Sequence, residues 1–185
     1  ESYGGPLLEK EIKSINLIIK NQKKPITAII GGSKISTKIN VLSNLIKKID
    51  NLVIVGAMAN NFIKLNGNNI GKSLTESNVE KICKKIDDLA KKSDCKIIIP
   101  IDCNTSTDIN GTPIYKSIKE IGSNDLILDI GKNTLSLIEE IIKSSNTLFW
   151  NGPAGYYENK NFSKGTLSIA HVIAENTKKR SLISI

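Results

Sequence analysis

The sequence predicts an α/β fold in three layers, a mostly parallel six-stranded sheet with helices on both faces. Three observations predict it. Short runs of Ile, Val and Leu alternate with longer segments whose apolar residues recur at helical spacing. The short runs show little polar alternation, which is how strands buried on both faces read. Glycine-bearing or polar turns follow the runs, at the carboxyl ends where open α/β sheets bind ligands.

Taken in order, a leading helix is expected over Leu7–Lys20, after Pro6, whose fixed φ suits a first helical turn. Strands are expected at Ile26–Ile30, Leu52–Val55, Lys96–Ile101, Leu126–Asp129, Thr147–Trp150 and Ser181–Ile185. Helices are expected at Ile35–Lys48, Met58–Asn66, Glu76–Lys92, Thr134–Ser144 and Lys164–Asn176. Leu135, Ile138, Ile141 and Ile142 illustrate the helical spacing. Such alternation implies right-handed crossovers and a Rossmann-like parallel sheet. The stretch Cys103–Asn124 breaks the rhythm. It is rich in Asn, Thr, Asp, Gly and Pro, with short apolar pieces at Ile114-Tyr115 and Ile118, and reads as an excursion holding a small hairpin. No repeat, low-complexity tract or linker divides the chain, so residues 1–185 read as one domain.

Composition bounds the function. Apolar residues make up 39% of the chain, enough for a core, but aromatics are only 4%, so Ile, Leu, Val and Ala must build it. No apolar run approaches a membrane span, and residues 1–6 lack the layout of a signal peptide. The missing Met start reads as a fragment. Cys83, Cys95 and Cys103 are odd in number and lack CxxC spacing, which argues against disulfides or a zinc site and for idle thiols in a reducing cytosol. The net charge of +8 comes from lysines scattered along amphipathic segments, as at Lys84-Lys85 and Lys91-Lys92. No basic stripe is interleaved with aromatics, so a solvated surface is a better reading than nucleic-acid binding.

Two segments carry the chemistry. In the first, Ile29-Ile30 runs into Gly31-Gly32-Ser33-Lys34 and then an expected helix. Glycine lets the backbone approach a ligand closely, and a helix N-terminus favours anions. Lys34 and Lys38 lie four apart, which puts both on one face if the segment is helical, as suits a polyphosphate. An ordinary strand-to-helix turn with two surface lysines explains the same residues. Neither GxxxxGK[ST] nor GxGxxG is present, so this is no standard P-loop or dinucleotide fingerprint. In the second, Trp150-Asn151-Gly152-Pro153-Ala154-Gly155 forms a rigid turn followed by Tyr156, Tyr157 and Glu158. A carboxylate there can accept from two vicinal sugar hydroxyls, or be merely exposed.

Taken together, G-G-S-K-I-S-T-K, G-x-M-A-N, I-G-K-S-L, L-D-I-G and W-N-G-P-x-G, with a Glu three residues after the last Gly, resemble the C-terminal domain of phosphoglycerate kinase. They occur in the family's order across essentially the whole chain. The resemblance implies a nucleotide-binding domain that takes ATP or ADP with Mg2+. The family reaction transfers a phosphoryl group between 1,3-bisphosphoglycerate and ADP without a covalent enzyme intermediate, so positioning and charge stabilisation dominate. By the resemblance, Lys34 falls at the lysine that contacts the transferring phosphoryl group. Lys38 falls at the lysine for the nucleotide phosphates, and Glu158 at the ribose-binding glutamate. Asn151 and Pro153 match nucleotide-contacting positions, while Gly31, Gly32, Gly56 and Ala57 would line the base-side cleft. A cytoplasmic monomer is expected, with 3-phosphoglycerate or 1,3-bisphosphoglycerate held by an N-terminal domain outside this chain.

Departures from the family pattern are visible. Val55-Gly56-Ala57 stands where the family often has three glycines, and Thr37 where many relatives have Asp. The family's G-G-G-D-[ST] loop, whose Asp reaches Mg2+, would follow Ile185. The fragment alone is therefore expected to be inactive. A non-catalytic nucleotide-binding module is the alternative; a basic nucleic-acid binder and a nicotinamide dehydrogenase stand further off. Among remaining residues, His171 reads as structural, Asp87-Asp88 and Glu139-Glu140 as solvated helix surface, and Arg180 as a surface group. Asp102 ends an expected strand on the ligand side, where either a ligand contact or a structural role is open.

Overall fold

The computed structural model describes residues 4–10, 12–13 and 22–185. Its strands in chain order are β1 (Ile26–Ile30), β2 (Asn51–Ile54), β3 (Lys96–Ile98), β4 (Asp102–Ser106), β5 (Ile114–Ser117), β6 (Leu126–Ile130), β7 (Thr147–Asn151) and β8 (Ile183–Ser184). The helices that matter here are α1 (Ile39–Leu45), α2 (Ala57–Leu65), α3 (Glu80–Lys92), α4 (Lys132–Ser144) and α5 (Lys164–Arg180). Strand β1 is buried along its whole length and lies at the centre of a five-stranded sheet of order β3-β2-β1-β7-β8. Every pairing in that sheet is parallel.

Successive side chains of a strand point to opposite faces, and both faces are covered. Ile26, Ala28 and Ile30, with Leu52 and Ile54, pack against Leu42, Met58, Phe62 and Ile86 of α1–α3. Ile29, Val53 and Leu148 pack instead against Ile138, Ile142, Ile169 and Ile173 of α4 and α5. Burying each such side chain contributes about 1.5–3 kcal/mol relative to exposure, so these two clusters hold the layers together. The aliphatic core expected from the scarcity of aromatics is the one observed.

The expected sheet of six strands is corrected to five. The run Leu126–Asp129 does form a strand, β6, but it belongs to a separate antiparallel sheet of order β5-β4-β6. Apolar runs report burial and not the identity of the neighbouring strand. The hairpin expected within Cys103–Asn124 is β4 paired with β5. A third cluster, with Ile63, Ile70, Cys103, Ile118 and Ile121, packs this small sheet against α2.

Other boundaries moved for local reasons. The strand expected over Lys96–Ile101 stops at Ile98, and Pro100 lacks the N–H that a ladder needs. The helix expected over Ile35–Lys48 is split into a 3₁₀ turn at Ser36–Lys38 and α1. The helix expected from Glu76 starts at Glu80. Ser181 takes a left-handed φ of 57° after α5, and the last strand begins two residues later than expected. Its hydrogen bonding still reaches Ile185, whose N–H donates to Leu148 O at 3.0 Å. Residues 6–10 and 12–13 are helical, while the rest of the expected Leu7–Lys20 helix lies outside the described residues.

Among the described residues no helix is long and apolar enough to cross a membrane. All three cysteines are buried free thiols. Burial pushes Cys83 and Cys95 up to about 11 and Cys103 up to about 12, which keeps them protonated. Lysines on the helices pair with carboxylates one turn away, as Lys91 with Asp87, Lys143 with Glu139 and Lys179 with Glu175. That is the solvated helix surface expected of the acidic pairs.

Candidate functional site: a cleft beyond the carboxyl ends of the parallel strands

A cleft of ≈ 440 Å³ opens beyond the carboxyl ends of β1, β2 and β7, with β6 as its far wall. Its size falls in the range of small-molecule sites. Of the residues singled out in the sequence, Gly32, Gly56, Ala57, Pro153 and Glu158 line it. Gly31, Lys34 and Lys38 follow β1 and Asn151 ends β7; none of the four lines it, although Lys38 Nζ lies beside Gly32.

Those loops touch through their backbones. A Cβ on Gly31 would sit 2.1 Å from the Pro153 carbonyl oxygen, so only glycine lets the β1 and β7 loops meet. The Gly31 N–H donates to Asn151 O at 2.8 Å. Gly56 has a φ of 66°, in the region that favours glycine, and its N–H donates to Ala154 O at 3.1 Å. Gly31 thus serves loop contact, and its expected place in the cleft lining is corrected to a buried position beneath Pro153.

The two lysines are not equivalent. Because Ser36–Lys38 is a 3₁₀ turn and Lys34 lies before it, outside any helix, Lys34 and Lys38 do not share a helix face as expected. Lys34 is exposed. Lys38 folds back, donating from Nζ to Gly31 O at 3.0 Å and to Asn151 Oδ1 at 2.6 Å. Burial lowers the Lys38 pKa from the usual lysine value. The expected anion site at this helix start is also altered. The N–H groups of Ile35 and Ser36 already donate to the carboxylate of Glu76.

Several functional positions escaped the sequence reading. The far wall is apolar, with Leu74, Leu126 and Leu128, and Tyr156 lies beside Glu158. Asn60 on α2 lines the cleft too and donates to Leu74 O at 3.0 Å. I-G-K-S-L and L-D-I-G, which hold Leu74 and Leu128, were visible as motifs, but no role was attached to their side chains.

Asp129, in that wall, is 2% exposed. Burial pushes its pKa up to about 6, against the pull of N–H donors on Gly165 at 2.8 Å and Ile130 at 2.9 Å. Asp102 lies outside the cleft lining. Its carboxylate accepts from Asn133 N and Thr134 N, both at 2.8 Å, and from Thr134 Oγ1 at 2.5 Å. It therefore caps the start of α4, a structural role. His171 is exposed on α5 and does not line the cleft. Arg180 donates to the Lys143 carbonyl and to Asn176 Oδ1 at the surface.

The phosphoglycerate kinase family model matches residues 1–185. The chain belongs to the phosphoglycerate kinase family. It is 43% identical over 185 residues to a phosphoglycerate kinase of Wolbachia sp. subsp. Drosophila simulans, covering 100% of this chain and 46% of that one. A phosphoglycerate kinase of Bartonella bacilliformis is 39% identical over 186 residues, again with 100% and 46% covered. The structure of phosphoglycerate kinase from Coxiella burnetii superposes with a TM-score of 0.87 at 35% identity, over 92% of this chain and 44% of that one. That from Pyrococcus horikoshii gives 0.73 at 26% identity, over 92% and 44%. The chain thus spans about half the length of the phosphoglycerate kinases it matches.

Proposed function

We propose that residues 1–185 form the nucleotide-binding half of a two-domain phosphoglycerate kinase, which passes a phosphoryl group between 1,3-bisphosphoglycerate and ADP. The single observation that carries this reading is the cleft's polarity. An apolar wall suited to a base shares the cleft with glycine-built loops and Glu158, and Lys38 Nζ lies against one of those loops at Gly32. In this reading Leu74 and Leu128 flank the base, and Glu158 accepts from the ribose hydroxyls. Lys38, oriented by Asn151, meets the nucleotide phosphates. Lys34, exposed beside them, meets the phosphoryl group in transit. Pro153, Gly32, Gly56 and Ala57 shape the cleft, and Gly31 holds its two loops together.

The donor set fits a nucleotide better than a free metal. Among the described residues no group of three or more His, Cys, Asp or Glu side chains could hold an ion. We therefore assign Mg2+ to the nucleotide it accompanies. The phosphoglycerate substrate would be bound outside this chain, and the 185-residue chain alone would bind nucleotide without turnover. A cytoplasmic monomer remains our reading of the whole protein.

The ribose contact gives the test. Glu158→Gln in the full-length protein should weaken ATP more than it weakens 2′-deoxy-ATP, because either change removes the same hydrogen bond. Calorimetric titration of the four combinations measures the coupling. Strictly additive losses would remove Glu158 from the site.

A further inference from the structure

We infer that Glu76 is a positioning residue for the phosphate end of the cleft, clamping the turn that carries Lys34 and Lys38 and acting through that turn rather than on the nucleotide. The inference rests on the nucleotide reading above.

A helix start leaves backbone N–H groups without partners inside the helix. The 3₁₀ turn at Ser36–Lys38 has no cap from its own N-cap residue, Ile35, whose side chain has no acceptor. Glu76 comes from 40 residues further along the chain and fills that role. Its carboxylate accepts from Ile35 N, from Ser36 N at 3.1 Å and from Ser36 Oγ at 2.5 Å. Hydrogen bonds to an ionised acceptor are roughly twice as strong as neutral ones, so three of them fix the turn firmly. Partial burial works to raise the Glu76 pKa. The Ser36 and Ile35 hydrogen bonds and the charge of Lys34 outweigh it and hold the carboxyl below the usual range.

Glu76 is itself fixed from behind. Its N–H donates to Asn61 Oδ1 at 3.1 Å, and Asn60 Nδ2 holds Leu74 O at 3.0 Å. Both asparagines are buried on α2, whose first residue, Ala57, lines the cleft. Residues 74–76 therefore span the site. Leu74 forms part of the apolar wall, and Glu76 grips the lysine turn two residues later. Its negative charge also lies close enough to Lys34 to be stabilised by it.

A clamp on the phosphate end separates phosphate affinity from base affinity, which general loosening of the fold does not. Calorimetry on the full-length protein with MgADP and with adenosine reads the two separately. Glu76→Gln keeps one acceptor oxygen and removes the charge. It should weaken MgADP about tenfold, the scale of one charge-assisted hydrogen bond, and leave adenosine within about twofold. The turnover number should fall with it, while the KM for 3-phosphoglycerate is unchanged. Ser36→Ala deletes a single donor and should give a smaller, MgADP-selective loss. Combined with Glu76→Gln, it should cost less than the product of the two. Equal losses for MgADP and adenosine, or unchanged MgADP affinity, would overturn the inference. If Glu76→Gln does not fold, Ser36→Ala alone decides by the same criterion. A wild-type protein that binds adenosine but gains nothing from the phosphates of MgADP would instead remove the nucleotide reading, and this inference with it.

Discussion

At one end of the cleft, the loops after β1 and β7 are held by charge and by backbone contact. Lys38 sits on Asn151 and Gly31, Glu76 grips the turn above them, and Gly31 meets Pro153 with no room for a side chain. At the other end, the antiparallel sheet supplies Leu126 and Leu128, joined by Leu74, with Lys72, Ser73 and Asp129 beside them. The difference teaches that a polar region and an apolar region of one cleft are built from two separate sheets. Lys38 is placed by residues of the parallel sheet and its loop, while the small sheet adds Leu126 and Leu128 beside the buried Asp129. Substitutions at the two ends should therefore have different signatures.

The largest effect is expected at the charged end. In the full-length enzyme, Lys34→Ala should lower kcat by roughly 10²–10³-fold, the loss typical of one donor aimed at transition-state charge. Lys38→Ala should lower it too and also weaken nucleotide binding, because its ammonium is already oriented by Asn151. Steady-state kinetics on both variants decide this, and wild-type rates would erase the distinction between the two ends.

The next effect sits in the apolar wall and concerns pH. Asp129 has its folded-state pKa raised by burial to about 6, above the 3.8 of a free aspartate. A raised acid binds its proton more tightly in the folded state. Its contribution to stability is thus greatest below about pH 4, falls as pH rises towards 6, and is at its least favourable above that. The gap between the two values corresponds to roughly 3 kcal/mol at most. Urea unfolding midpoints of the wild type minus those of Asp129→Asn should fall between pH 4 and 6 and level off above. A flat difference would mean that the wall tolerates the charge through its Gly165 and Ile130 donors.

The smallest effect sharpens the comparison. Leu128→Ala removes apolar surface from the cleft wall and, under the proposed nucleotide reading, should weaken adenosine and MgADP alike, by about fivefold, for about 1 kcal/mol of lost burial. Titration of both ligands measures it. A loss confined to MgADP would put Leu128 at the phosphate end.

Legibility followed the range of the forces involved. Strands Ile26–Ile30 and Thr147–Trp150 could be read because burial leaves a local apolar run, the second extending one residue further, to Asn151. The loop positions of Gly32, Gly56, Pro153 and Glu158 around one cleft were legible from strand ends and motifs. The partner of Leu126–Ile130 was not, since an apolar run says nothing of its neighbour. The break of the expected Ile35–Lys48 helix, and with it the separate placement of Lys34 and Lys38, was not legible either. The group that caps its start, Glu76, arrives through tertiary structure, and in sequence it resembles any acidic residue before a helix.

The contact of Gly31 with Gly152 and Pro153 has a mechanical consequence. Strands β1 and β7 are in register up to Ile30 and Asn151, and their loops then meet with a carbonyl oxygen where a methyl group would have to go. Neither loop can slide or swing without carrying the other, so they behave as one welded joint rather than two adjustable arms. A substitution that shifts one loop is inherited by its partner, and compensation must come from the same pair.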